Sequence, residues 1–153
     1  EIGPGYGAFK EWVAKLDYYD YYAADVYPRI EGVDATLPTG LLAPITLARK
    51  YALVIASNVF QHLSLVQRHT YYADIASCLL PGGLFKVSMM VDDGSMNPGH
   101  RCQSNVWWCR HYGQLTPIQR AQDTFEDLGR HFRIISHCYA GSNWMAVTCE
   151  KRA

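Results

Sequence analysis

The segments FRIISHCYA (132–140) and NWMAVTCEK (143–151) are separated by Gly141 and Ser142 alone. A two-residue link joins antiparallel strands and is far too short for the crossover between parallel ones. Upstream, strands and helices alternate. The run YALVIAS (51–57) reads as a strand buried on both faces. Ser64 and Gln67, in S-L-V-Q, form a capping box for a helix predicted to reach Leu79, where LLPGG stops it. LFKVSMMV (84–91) is the next strand, with MMV read as core. Thr116, Pro117 and Gln119 repeat the helix-start chemistry, predicting a helix to about Arg130. Such alternation requires a mostly parallel sheet with helices on both faces, a doubly wound α/β fold, and the closing hairpin reverses one late strand.

The first third of the chain follows the same order. AFKEWVAKL (8–16) is a helix whose apolar face is predicted to carry Phe9, Trp12, Val13 and Leu16. YYDYYAADVY (18–27) becomes a strand from about Tyr21 and reaches Asp25. IEGVDATLP (30–38) is a short strand ending at Asp34, and LLAPITLARK (41–50) a short helix weakened by Pro44. Residues 92–115 lack a period and are expected to form a long loop. With no internal repeat or linker, residues 1–153 are assigned to one domain.

Fourteen basic residues balance fourteen acidic ones, which argues against a nucleic-acid partner. No apolar run approaches the ~20 residues of a membrane span. The five cysteines (Cys78, Cys102, Cys109, Cys138 and Cys149) are odd in number and irregular in spacing, so reduced core thiols of a cytoplasmic protein are expected. His100, Cys102, Cys109 and His111 contain the donor types of a zinc site. Neither pair has C-x-x-C spacing, and no metal is expected. Trp107 and Trp108 are expected to wall an acceptor pocket or to meet an upstream domain or partner subunit.

Gly3, Gly5 and Gly7 precede the first helix, where glycine lets a ligand approach the backbone and the helix start offers free N–H groups. Asp25 stands 18 residues past Gly7 (25 against 7), close to the ~20-residue offset at which a carboxylate meets vicinal ribose hydroxyls.

EIGPGYG (1–7), Asp25 after YYAA, VDATLP (33–38), YALVIASNVFQHLS (51–64), LLPGGLF (79–85) and the closing hairpin follow one another in an order that resembles the class I S-adenosylmethionine-dependent methyltransferases. The resemblance implies a seven-stranded sheet with its last strand reversed. It implies S-adenosylmethionine as cofactor, with methyl transfer to a small or medium-sized acceptor. Glu1, Gly3, Gly5 and Gly7 would line the methionine and ribose portion, and Asp25 would take the ribose hydroxyls. Asp34 and Ala35 would sit beside the adenine, and Asn58, Val59 and Phe60 would flank the sulfonium and adenine. His62 is the candidate base for an acceptor that must lose a proton.

The chain departs from that pattern in three places. The span from Asp25 to Asp34 is too short for a helix plus a strand. Ala52 stands where an acid is common, and the first strand is nearly absent, which implies a segment of a longer protein. Two other readings share the opening. Gly3, Gly5 and Ala8 also satisfy the dinucleotide fingerprint G-x-G-x-x-G/A, against which stand SNVFQHLS and the reversed strand. A methyltransferase fold without catalysis, serving as an interaction module, would explain Ala52 and the paired tryptophans.

Overall fold

The computed structural model describes residues 1–4, 8–16, 20–25, 35–36, 50–92, 119–140 and 143–152. Its elements are α1 (Ala8–Val13), β1 (Ala24–Asp25), β2 (Ala35–Thr36), β3 (Tyr51–Ser57), a 3-10 turn (Phe60–His62), α2 (Leu65–Cys78), β4 (Leu79–Met90), α3 (Ala121–Gly129), β5 (Phe132–Tyr139) and β6 (Trp144–Lys151).

Four strands form one sheet in the order β3-β4-β6-β5. The β3–β4 pair is parallel, whereas β6 runs antiparallel to both β4 and β5. β1 and β2 pair in parallel. Ile2 joins the two ladders by single parallel bridges to Ala24 and Ala56. Its N–H donates to Ile55 O at 2.8 Å, Gly3 N–H donates to Ala24 O at 2.8 Å, and Ala24 N–H donates to Glu1 O at 2.9 Å. The first three residues are thus stitched between β1 and β3.

Parity along the strands decides which face is core. Val54, Phe85, Val87, Met89, Met145, Val147 and Cys149 project to one face and are buried in one cluster with Tyr71, Tyr72, Ile75 and Cys78 of α2 and Leu128 of α3. On the other face lie Lys86, exposed, and Ser88 and Thr148, half-buried. The expectation that β3 is buried on both faces therefore needs correction. Its limits are as predicted, but Leu53 is 40% exposed and Ala52 is exposed as well. Aromatic rings fill the core. Phe60 stacks on Tyr72 at 4.9 Å and 3°, while Phe85 packs on Phe132 at 5.3 Å.

Helix α2 starts as its sequence dictates. Ser64 accepts from the Gln67 N–H at 3.3 Å, and Gln67 Oε1 accepts from the Ser64 N–H at 2.9 Å. It ends at Cys78, one residue short of the expected stop, because Leu79 already pairs with Tyr51. β4 then begins earlier than predicted. Between the Tyr51–Leu79 and Leu53–Leu84 pairs its chain bulges through Pro81, Gly82 and Gly83, a place where proline removes no ladder hydrogen bond. Gly82 has φ +71° there.

Three further expectations shift. α3 begins at Ala121 with Arg120 as its N-cap, so Gln119 stands outside the helix, where its side chain has buried partners. Trp12 is 56% exposed, whereas Val13 of α1 is buried. β2 occupies Ala35–Thr36, past the expected strand end at Asp34. The predicted helix over 41–50, the long loop after Asp92, Trp107, Trp108 and the four candidate zinc donors fall outside the described residues. Among the described residues, no helix is long and apolar enough to cross a membrane and no cluster of metal-ligating side chains occurs. Cys78 and Cys149 are buried free thiols and Cys138 is an exposed one. Burial pushes the Cys78 thiol up to about 11 and the Cys149 thiol up to about 12, so both stay protonated packing groups.

Candidate functional site

Parallel strands place their carboxyl ends on one edge, where open α/β sheets bind ligands. Three of the predicted site segments meet there. Ile2 is in register with Ala24 and Ala56, so Gly3, Asp25 and Ser57 follow side by side. Gly3 has φ +66°, a conformation that suits glycine. A Cβ added to it would collide with Val59 Cγ2. Gly3 and Val59, expected from sequence to share a ligand, thus close against each other. Asn58 also has positive φ, 61°, and turns the chain out of β3 while its N–H donates to Ser88 O at 2.9 Å. Asparagine tolerates this left-handed geometry better than most side chains. A strained residue at the carboxyl end of a central strand is where ligand sites concentrate.

Asp25 ends β1, paired with Thr36 and half-buried. The hydroxyl of Tyr21 donates a hydrogen bond to Glu1 Oε2, so the Glu1 carboxylate is oriented by a residue that sequence reasoning did not assign to the site. Gly5, Gly7 and Asp34 lie outside the described residues, and Ala35 contributes backbone pairing with Ala24.

Phe60, which the resemblance sets beside the sulfonium and adenine, has a ring that is 0% exposed and lies against Tyr71, Tyr72 and Phe85. Its side chain anchors the turn from below. The physical reason is that the 3-10 turn directs Phe60 and Gln61 inward, and Gln61 Oε1 accepts from the Met90 N–H at 3.4 Å.

His62, on the same turn, is half-buried. Burial, and then the nearby Arg68 cation, lower its pKa below the ordinary imidazole value. The neutral ring that a general base requires is therefore favoured at neutral pH.

Arg68 itself was missed. It is 2% exposed on α2, an uncommon place for a guanidinium. Its Nε donates to Leu63 O at 3.0 Å and Nη1 to Gln119 Oε1 at 2.7 Å, and Gln119 Nε2 donates to Asp127 Oδ2 at 2.5 Å. Asp127 also stands 3.5 Å from His69 Nε2. This network ties the turn carrying His62 to α2 and α3. Its partners lie 51 positions apart along the chain, and no local pattern reveals such a pairing.

Comparison with known proteins then identifies the architecture. No known protein family matches the sequence, and no curated protein matches it closely. Solved structures do. The N-methyltransferase NodS of Bradyrhizobium japonicum WM9, in complex with S-adenosyl-L-homocysteine, superposes with TM-score 0.63 at 18% identity, over 99% of this chain and 76% of that one. A 1,6-didemethyltoxoflavin-N1-methyltransferase of Burkholderia thailandensis, with bound 1,6-didemethyltoxoflavin and S-adenosylhomocysteine, gives TM-score 0.68 at 17% identity, covering 99% of this chain and 69% of that one. The glycopeptide N-methyltransferase MtfA, complexed with S-adenosyl-L-methionine, gives 0.66 at 13% identity, covering 99% and 85%. With β6 antiparallel beside β4, Ile2 bridging β1 and β3, and these superpositions, the chain has the fold of the class I S-adenosylmethionine-dependent methyltransferases.

Proposed function

We propose that this chain binds S-adenosylmethionine at the carboxyl edge of its sheet and transfers the methyl group to a small or medium-sized acceptor. The observation that carries the reading is the juxtaposition of Gly3, in a left-handed conformation and closed against Val59, with Asp25 on the adjoining strand. In this reading Glu1–Gly3 counts as a strand between β1 and β3, joining the two-stranded and four-stranded sheets into a row of seven.

In this reading the backbone from Gly3 through Gly5 and Gly7 cradles the ribose and methionine portion. The oriented Glu1 carboxylate faces the amino end of that methionine. Asp25 accepts from the two ribose hydroxyls, which a charged acceptor does better than a neutral one. Asn58 and Val59 line the sulfonium side, with Asp34 and Ala35 beside the adenine. The cofactor supplies the reactive methyl group, so the protein's work is alignment of donor and acceptor. Neutral His62 takes the acceptor's proton where the acceptor carries one. The structural neighbours act on small molecules and a glycopeptide, as their names state, which supports an acceptor of that size.

Asp25→Ala tests the reading. Calorimetric titration with S-adenosylhomocysteine, which lacks the transferable methyl and so binds without turnover, is expected to show affinity weakened by ~1–3 kcal/mol. Unchanged affinity removes Asp25 from the site. A fold that is intact but binds no S-adenosylhomocysteine favours the non-catalytic interaction module, and preferential binding of NAD favours a dinucleotide enzyme.

A further inference from the structure

At the opposite end of the sheet, where β4 begins and β6 ends, lies a cleft of about 550 Å³ lined by Pro81, Gly82, Arg133, Glu150, Lys151 and Arg152. Its charge is unlike that of the whole chain, which is neutral. Three cations line it against one carboxylate.

Two of the cations, Lys151 and Arg152, have carbonyl rather than carboxylate partners among the described residues. Lys151 Nζ donates to Leu79 O at 2.8 Å. Arg152 donates through Nε to Phe132 O at 3.1 Å and through Nη2 to Gly129 O at 2.5 Å. Carbonyl partners fix the position of these groups but leave their full charge to the cleft. An ammonium has three N–H donors and a guanidinium five, so each retains donors beyond these contacts. Glu150 is taken by Arg133, whose Nε reaches its Oε2 at 2.8 Å. Pro81 and Gly82 form the bulge of β4, where Gly82 carries no side chain to occupy the space.

We propose that this cleft is a second binding site, separate from the cofactor edge, for the phosphate group of a small organic phosphate. The volume falls within the ~300–1,000 Å³ of small-molecule sites. Two cations held by carbonyls match a phosphate dianion, and arginine beside lysine supplies both forked and point-charge donors. The net charge of zero leaves no surplus of cations of the kind that polymeric nucleic acid usually needs.

The test is titration of the chain with ribose 5-phosphate at constant ionic strength, followed by amide chemical shifts, with ribose as control. Saturable shifts at Gly82, Arg133 and Lys151 are expected. Arg152→Gln and Lys151→Gln are each expected to weaken binding by about tenfold, the scale of one charged hydrogen bond. Lys86→Gln, exposed on the sheet face, should leave it unchanged. Glu150→Gln removes the only carboxylate among the described lining residues and is expected to tighten binding, an outcome that a damaged fold cannot mimic. Absence of saturable binding, equal shifts with ribose, or equal affinity in all four variants overturns the proposal. None of these outcomes depends on S-adenosylmethionine binding at the other edge.

Discussion

Arg68→Met is expected to destabilise the fold by about 3–5 kcal/mol in urea unfolding, the range for removing one member of a buried charged network. The methionine fills much of the arginine volume, so the loss is chiefly polar. Leu63 O and Gln119 Oε1 lose their donors, and Asp127 keeps its carboxylate with a guanidinium removed from its surroundings. Burial lowers the Arg68 pKa, while the Asp127 carboxylate and the Tyr72 hydroxyl oppose that shift. The charge is thus retained at a cost that its partners offset. A second readout ties the network to the candidate site. Arg68 helps hold the His62 pKa down, so the variant should raise it toward the ordinary imidazole value in an NMR titration. A variant as stable as the parent, with an unmoved His62, would show that the network orders nothing.

The second large effect is expected at Gly3. Alanine there meets two penalties. Its φ of +66° costs an alanine about 1–2 kcal/mol relative to glycine, and its Cβ requires Val59 to move, a strain of order 1–3 kcal/mol in a packed position. Gly3→Ala should therefore lower stability and weaken S-adenosylhomocysteine binding together. Val59→Ala in the same chain removes the atom that is struck. The double variant is expected to recover the steric part of the loss and not the backbone part. Equal losses in the single and double variants would mean that Gly3 and Val59 are not coupled.

Much of this architecture is legible in the residues themselves, for local reasons. The Ser64–Gln67 box is a contact between positions three apart, so the sequence contains both partners side by side. The reversed strand follows from the reach of two residues, and β3 from an unbroken apolar run with sharp ends. What could not be read depends on distant partners. Phe60 lies in a motif that the family resemblance sets beside the cofactor, and only the inward 3-10 turn sends its ring to Tyr72. Gln119 looks like helix-start chemistry, and only the fold shows it bridging Arg68 and Asp127. Exposure of Leu53 depends on how the second sheet face is covered, which the apolar run does not encode. At the candidate site, the spacing of Gly7 and Asp25 is visible in the sequence, whereas the Ile2 bridges that set Gly3 beside Asp25, and the contact of Gly3 with Val59, depend on the fold.

The most direct measurement is a map of amide chemical shifts on titration with S-adenosylhomocysteine. The account predicts that the largest changes fall on Gly3, Ala24, Asp25, Asn58 and Val59, at the carboxyl edge of the sheet, and that NAD at the same concentration does not reproduce them. Saturable binding whose shifts avoid those amides, or a folded chain that shows no binding at all, would contradict it.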